Sequence, residues 1–203
     1  MAANVEAVAR TRSKIHEAAI KLFTSKGFHG TGIREIAREA GVSLGNLYNH
    51  HKNKEQLFAS ILEELEAEYT APGTPLDKAF RNFSGADDFE ALGLASGEMV
   101  ERFRDYIKLI YVDVVELSGV HIRRLYGGMR ERYEKRFGDQ LDRLAEGGIA
   151  GEDPIGKLMT TTMVFFFYFN IRTIFGCETF FADSDEDAIR TFSKILREGM
   201  RAS

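Results

Sequence analysis

The chain of 203 residues has little of what secreted or membrane-bound proteins depend on. Its one cysteine, Cys177, forms no disulfide within the chain and puts a cysteine-based metal site out of reach. That suits a reducing cytoplasm, with Cys177 read as a small hydrophobe. No apolar run approaches the ~20 residues that span a bilayer. The most apolar stretch, Met163–Phe169, is closed by Thr162 and Asn170 and reads as a buried helix, so no membrane partner is expected. The N-terminus lacks a basic segment followed by an apolar core, so no secretory signal is expected. Prolines are scarce, with only three in the chain. No convincing period-2 strand and no internal repeat is visible. Basic charge is in deficit too: the net charge is −4, which at first speaks against a nucleic-acid partner.

The distribution of that charge reverses the inference. Residues 1–54 carry nine Lys/Arg against four Asp/Glu, a net of +5, while the rest carries eighteen against twenty-seven, a net of −9. Four of the five histidines (His16, His29, His50 and His51) also fall in the basic part. A basic head on an acidic body is the footprint of a protein that meets phosphates with one end.

What is present is helical periodicity. With 44% apolar and 29% charged residues the chain can bury a core. Residues 1–9 are polar and alanine-rich and are expected to fray. Thr11–Lys26 places Ile15, Ala18, Ala19, Leu22 and Phe23 on one face and stops at Gly27. Lys54–Tyr69 repeats the pattern with Leu57, Phe58, Ile61, Leu62, Leu65 and Tyr69. The stretch 71–75 is the clearest break. Beyond it Leu76–Phe83 is a short helix, and Asp87–Glu116 reads as two with a boundary near Phe103. His121–Glu146 carries one apolar stripe and is expected to form one helix closed by Gly147-Gly148. Asp153-Pro154 opens a long helix to about Gly176. Ser184–Asp187 resembles a capping box before a last helix with Ala188, Ile189, Phe192, Ile195, Leu196 and Met200 on one face. The fold class is all-α.

The most informative segment is Thr31–Lys54. Ile33, Ile36, Ala37 and Ala40 share one helical face, and Gly41 ends that helix because glycine enters the left-handed region without a Cβ penalty. Val42 plugs the corner, Ser43 is a good N-cap for the next helix, and Leu47 is that helix's one clear aliphatic anchor. Small residue at 37, glycine at 41 and aliphatic at 47 is the spacing of a DNA-binding helix-turn-helix. An ordinary helical hairpin in a core fails to explain why Ser43–His51 carries so little apolar surface.

The residues around this segment resemble the TetR/AcrR family of transcriptional regulators. The resemblance rests on Arg12, Ile15, Ala18-Ala19, Leu22-Phe23, Gly27-Phe28 and Thr31. It continues through Ile33, Ile36-Ala37, Ala40-Gly41-Val42-Ser43, Gly45, Leu47-Tyr48, His50, Lys54-Glu55 and Leu57. It covers about the first 60 residues; the remainder matches only in helix count and order. It implies a DNA-binding head over 1–54 and a helical effector-binding and dimerisation domain over 55–203. Two positions depart from it. His51 stands where an aromatic usually packs under the recognition helix; an imidazole can fill that space, with looser packing or pH sensitivity near neutrality as the alternatives. Gly32 stands where Thr is common, so capping of the second helix falls to Thr31.

On this resemblance the recognition helix enters the major groove with its early residues toward base edges. After the cap Ser43, Leu44, Gly45 and Asn46 are the base-reading candidates: Leu44 for a thymine methyl, Gly45 for close approach, Asn46 for adenine. Tyr48, His50 and Lys54 match positions that hold phosphates. Thr31 and Arg34 stand at the start of the second helix, where free N–H groups favour a phosphate. Asn49 stays open between base, phosphate and solvent. In the body, Phe103, Tyr106, Ile110, Tyr111, Met129, Tyr133, Met163, Phe166, Phe167 and Asn170 are candidates to line a cavity for a small apolar or aromatic effector. Asp113 is read as solvent-facing, with pairing to a cationic ligand as the alternative. The two C-terminal helices, about 154–176 and 185–200, carry enough apolar surface for the family's homodimer interface.

The expected function is therefore a cytoplasmic homodimeric repressor that binds a near-palindromic operator and is released by a ligand. An activator of the same fold, or a non-specific architectural DNA binder, is the alternative. Enzyme readings fare poorly. Gly27–Gly32 is glycine-rich but lacks the Lys-Ser/Thr of a phosphate loop and follows a helix. His50 and His51 face different sides of a helix with no i+4 partner, so no zinc site is expected, and no cofactor is implied.

Overall fold

The computed structural model describes residues 2–178 and 180–201, with side chains for 5–178 and 180–200. Among them the structure is helical without a strand: α1 (Ala2–Lys26), α2 (Ile33–Glu39), α3 (Leu44–His50), α4 (Lys54–Tyr69), α5 (Pro75–Asn82), α6 (Phe89–Arg102), α7 (Arg104–Glu116), α8 (Val120–Gly127), α9 (Met129–Phe137), α10 (Leu141–Glu146), α11 (Pro154–Phe169) and α12 (Asp185–Arg201). The all-α expectation holds, as does the break at Phe103, a buried residue whose ring meets Tyr69 edge-on at 5.2 Å. Three boundaries differ from the sequence reading. Residues 2–9, expected to fray, belong to α1, which is helical from Ala2. The apolar stripe over 121–146 is cut into α8, α9 and α10 at Gly128 and at a 3₁₀ turn over Gly138–Gln140, where glycine weakens a helix that its apolar face alone would continue. The helix from Pro154 ends at Phe169 and passes into one π turn, Asn170–Ile174.

The chain divides into two compact units: Met1–Glu68 with Asp105–Arg123, and Tyr69–Arg104 with Arg124–Ser203. In the first, Ile15, Ala19, Phe23, Ile36, Leu47, Leu57, Ile61 and Leu62 form the core. Phe23, Phe28 and Phe58 meet within it at 5.2–5.7 Å between ring centres. In the second, α6 is packed by α5, α11 and α12. Two glycines on α6 permit the approach: a Cβ at Gly93 would stand 2.8 Å from Ile189 Cγ2, and one at Gly97 2.8 Å from the Phe169 ring. Phe80, Phe83, Tyr133 and Phe137 fill the space around α5 and α9. Caps follow the sequence signals: Thr74 accepts from Asp77 N–H, Asp153 from Gly156 N–H and Ser184 from Asp187 N–H. No described helix is long and apolar enough to cross a membrane.

Candidate nucleic-acid interface

α2 closes with the N–H of Val42 on the Ala37 carbonyl and the N–H of Gly41 on Arg38, with Gly41 at φ +66°. This Schellman turn needs the left-handed region at one residue only, and a Cβ there would meet nothing within 4 Å. The constraint at Gly41 is therefore conformational. Ser43, in extended conformation, then accepts from the Asn46 N–H at 3.1 Å and starts α3. Leu47, fully buried, pins α3, and Ile36 and Ala37 close the other side.

The turn before α2 is held from two directions. Lys54 at the start of α4 donates its ammonium to the carbonyls of Phe28 (2.7 Å) and Thr31 (2.8 Å) and sits 4.3 Å over the Phe28 ring. Glu116, at the end of α7, accepts the backbone N–H of Phe28 (3.1 Å) and of His29 (2.7 Å). Gly27, at φ +75°, leaves the room that this carboxylate occupies; a Cβ there would overlap it. Carbonyls go to a cation and amides to an anion, so all four polar groups are answered.

Beneath α3 lies a buried histidine pair. His51 is 5% exposed, and its Nε2 is 3.3 Å from His16 Nε2. His16 Nδ1 is 2.9 Å from the Glu64 carboxylate, which Arg12 also pairs at 2.8 Å. Ser60 Oγ lies 3.4 Å from His51 Nδ1 and donates to the Leu57 carbonyl. Burial, with the positive charge of His16, His50 and Arg12, pushes His51 down to about 4. Burial also lowers His16, against the pull of Glu64. The imidazole at 51 thus packs as the aromatic it replaces would, and it titrates below neutrality.

The sequence candidates fall into three groups. Ser43, Gly45, Tyr48, Asn49 and Arg34 are exposed, and Tyr48 keeps 46% of its surface. Leu44, Asn46 and His50 are half-buried on the same short helix. Thr31 and Lys54 are placed otherwise than expected. Thr31 is 1% exposed and its hydroxyl donates to the Gly27 carbonyl, so it caps nothing; Gly32 stands at the N-cap of α2 without a side-chain bond. Lys54 has two of its three N–H groups on carbonyls, and its first role is structural.

Five of the head's nine Lys/Arg are ion-paired, Arg12 among them with Glu64. Arg10 pairs Glu6, Lys21 pairs Glu39, and Lys26 pairs Glu35, which Arg38 also approaches. Of the other four, Lys54 is held by two carbonyls, and Lys14, Arg34 and Lys52 are exposed with no side-chain ion pair or hydrogen bond among the described residues. Sequence reasoning singled out Arg34 and overlooked the other two, whose freedom depends on where the glutamates point. It also passed over Glu116, which carries no local signal 87 residues from its partner.

The effector candidates separate as well. In the first unit, Tyr106 is buried with its hydroxyl 2.9 Å from His121 Nε2, while Ile110 and Tyr111 are half-buried. Asp113 neither faces solvent nor awaits a cation: it is buried and accepts the N–H groups of His121 and Ile122 at 3.1 Å, tying the start of α8. In the second unit Phe103 is buried, and Met129, Tyr133 and Phe166 are half-buried, the Tyr133 hydroxyl pushed up to about 12 by burial. Asn170 is buried with its amide on the Phe166 carbonyl. Met163 and Phe167 correct the expectation. They are 48% and 61% exposed, on the face of α11 turned away from the core, because Phe165, Tyr168 and Phe169 take the inward positions.

Fold and site thus define an all-helical protein with a helix-turn-helix head. The family model for bacterial regulatory proteins of the tetR family matches residues 15–61. The transcriptional regulator AcrR of Shigella flexneri is 44% identical over 75 residues, covering 32% of this chain and 35% of that protein. The transcriptional regulator RutR of Escherichia coli K12 is 34% identical over 157 residues, covering 75% of this chain and 66% of RutR. The structure of AibR, in complex with isovaleryl coenzyme A and operator DNA, aligns at a TM-score of 0.63 with 19% identity, over 92% of this chain and 97% of AibR. The chain belongs to the TetR family. It spans about a third of the length of AcrR that it matches.

Proposed function

We propose that the chain is a cytoplasmic transcriptional repressor that binds a near-palindromic operator as a homodimer and is released by a small effector. The observation that carries this reading is the surface of α3. A helix capped by Ser43 and pinned by Leu47 presents Gly45, Asn46, Tyr48 and Asn49, and α2 carries the exposed Arg34. In this reading Leu44, Gly45 and Asn46 meet base edges, while Tyr48, His50, Arg34 and the remaining N–H of Lys54 meet phosphates. Residues 1–54 act as the DNA-binding head and residues 55–203 as the effector-binding and dimerisation part.

Support for a second copy comes from α11, α12 and the segment joining them. Met163, Phe167, Phe175, Phe180, Phe181 and Ile195 are all substantially exposed within one chain. Apolar surface of this kind, on a pair of long helices, suits an isologous four-helix contact. The effector is apolar or aromatic in character, in keeping with the aromatic residues around α9 and α11. The structure of AibR, which shares this fold, holds isovaleryl coenzyme A and operator DNA.

Footprinting the purified chain on the DNA upstream of its own coding sequence tests the proposal. Two protected half-sites with centres ~34–36 Å apart, or a multiple of that, are expected. A single half-site, or protection that follows no sequence, would reject the dimeric operator reading.

A further inference from the structure

We propose that the His16–His51 pair is an acid-sensitive latch beneath the recognition helix, which takes up one proton without moving and opens on the second. Its effect on DNA rests on the operator-binding reading; the opening itself does not.

The hydrogen bonds fix the starting state. The Glu64 carboxylate only accepts, so His16 carries its hydrogen on Nδ1, 2.9 Å away. In a neutral ring Nε2 is then an acceptor; Ser60 Oγ lies 3.4 Å from it but gives its hydrogen to the Leu57 carbonyl, so the facing His51 Nε2, at 3.3 Å, is the donor. His51 Nδ1 is left bare toward Ser60, whose own hydrogen goes to the Leu57 carbonyl. A first proton enters without cost in geometry. Placed on His16 Nε2 it reverses the bond between the rings, and His51 shifts its hydrogen to Nδ1, where the Ser60 oxygen can accept it. Glu64 then faces a cationic His16.

A second proton has no such arrangement. Both Nε2 atoms would carry hydrogens and point at each other across 3.3 Å between two buried rings. The groups facing the pair do not relieve this. On α1 stands Arg12, at the end of α3 His50, both adding positive charge; on α4 Ser60 is uncharged and Glu64, shared with Arg12, is the one carboxylate among the described residues. Relief requires separating the rings. His51 follows directly on α3, so its ring cannot leave without loosening the helix that Leu47 seats.

The direction in pH follows from the shifts. Both rings bind protons less readily in the folded head than in an open chain, so stability present above ~6.5 is lost as pH falls toward about 4. The test is a histidine-resolved NMR titration of the whole chain, paired with its thermal midpoint from pH 7.5 to about 3.5, on the native protein and on His51→Phe. Phenylalanine fills the same space and cannot titrate. Both buried rings are expected to titrate below ~6.5, and the midpoint to fall across the same range. In His51→Phe that fall is expected to shrink, the second proton being gone. Rings that titrate at or above ~6.5, or melting midpoints with equal pH slopes in the two proteins, overturn the latch. Should His51→Phe not fold, the titration of the native rings decides alone. None of these readouts uses DNA, so a chain that binds no operator still answers the question.

Discussion

The carboxylate of Glu116 accepts the backbone N–H of His29 at 2.7 Å, across 87 residues of sequence. With the Phe28 amide on its other oxygen, it makes the turn before the helix-turn-helix depend on the end of α7. Glu116→Ala leaves two amides without an acceptor and is expected to cost about 1.5–3 kcal/mol, the range for hydrogen bonds to a charged group. Glu116→Gln keeps one good acceptor and is expected to lose less. Urea unfolding of the two variants checks the order; equal stability of Glu116→Ala and the native protein would remove Glu116 from the framework of the head.

Two glycines separate conformation from access. Gly41 sits at φ +66° with open space around it, so Gly41→Ala is expected to cost about 1–2 kcal/mol through backbone strain alone. Gly45 has an ordinary helical backbone and also faces open space. Gly45→Ala is therefore expected to leave the melting temperature unchanged or slightly raised, while it weakens DNA binding by holding the helix off the groove. Thermal melts and fluorescence anisotropy on the same two proteins distinguish the effects.

Asn46 and Arg34 are expected to fail in different ways. Asn46→Ala relaxes the preference for one base pair, with a loss of about 1–3 kcal/mol on the best site and less on others. Arg34→Ala weakens binding to every sequence and lowers the salt slope by about one. Lys54→Ala combines weaker binding with a less stable head, since its ammonium holds two carbonyls. Titrations at three salt concentrations on matched and mismatched sites separate these outcomes; an equal loss on every site for Asn46→Ala would remove it from base reading.

In the second unit, Gly97 lies under the Phe169 ring. Gly97→Ala is expected to overpack this contact and cost about 1–3 kcal/mol. Gly97→Ala with Phe169→Leu, which removes the ring, is expected to recover part of that loss. A double-mutant cycle measured by denaturation shows the coupling, and strict additivity would contradict it.

Much of this could be read in the chain because the signals are local. Gly41, Ser43 and Leu47 each act within one turn of their own position, so spacing alone located the motif and both of its ends. The breaks at 128 and 138 were missed because a continuous apolar stripe says which face is buried and nothing about whether the helix survives its glycines. Lys54, Thr31 and Asp113 have ordinary surface chemistries, and only the fold shows that carbonyls and amides already occupy them. His51 was legible as an anomaly, but its partner His16 lies 35 residues earlier. The head's net charge already includes Glu39, which pairs Lys21, but it leaves out Glu64, which pairs Arg12 from α4.

The central claim is that α3 reads sequence. The most direct measurement compares the affinity of the whole chain for the DNA upstream of its own coding sequence with that for a scrambled duplex of equal length and composition, at two salt concentrations. The expected result is binding to the upstream DNA at least ~10³-fold tighter at physiological salt, with the preference kept as salt rises. Equal affinity for the two duplexes, falling with the same steep salt slope, would contradict it.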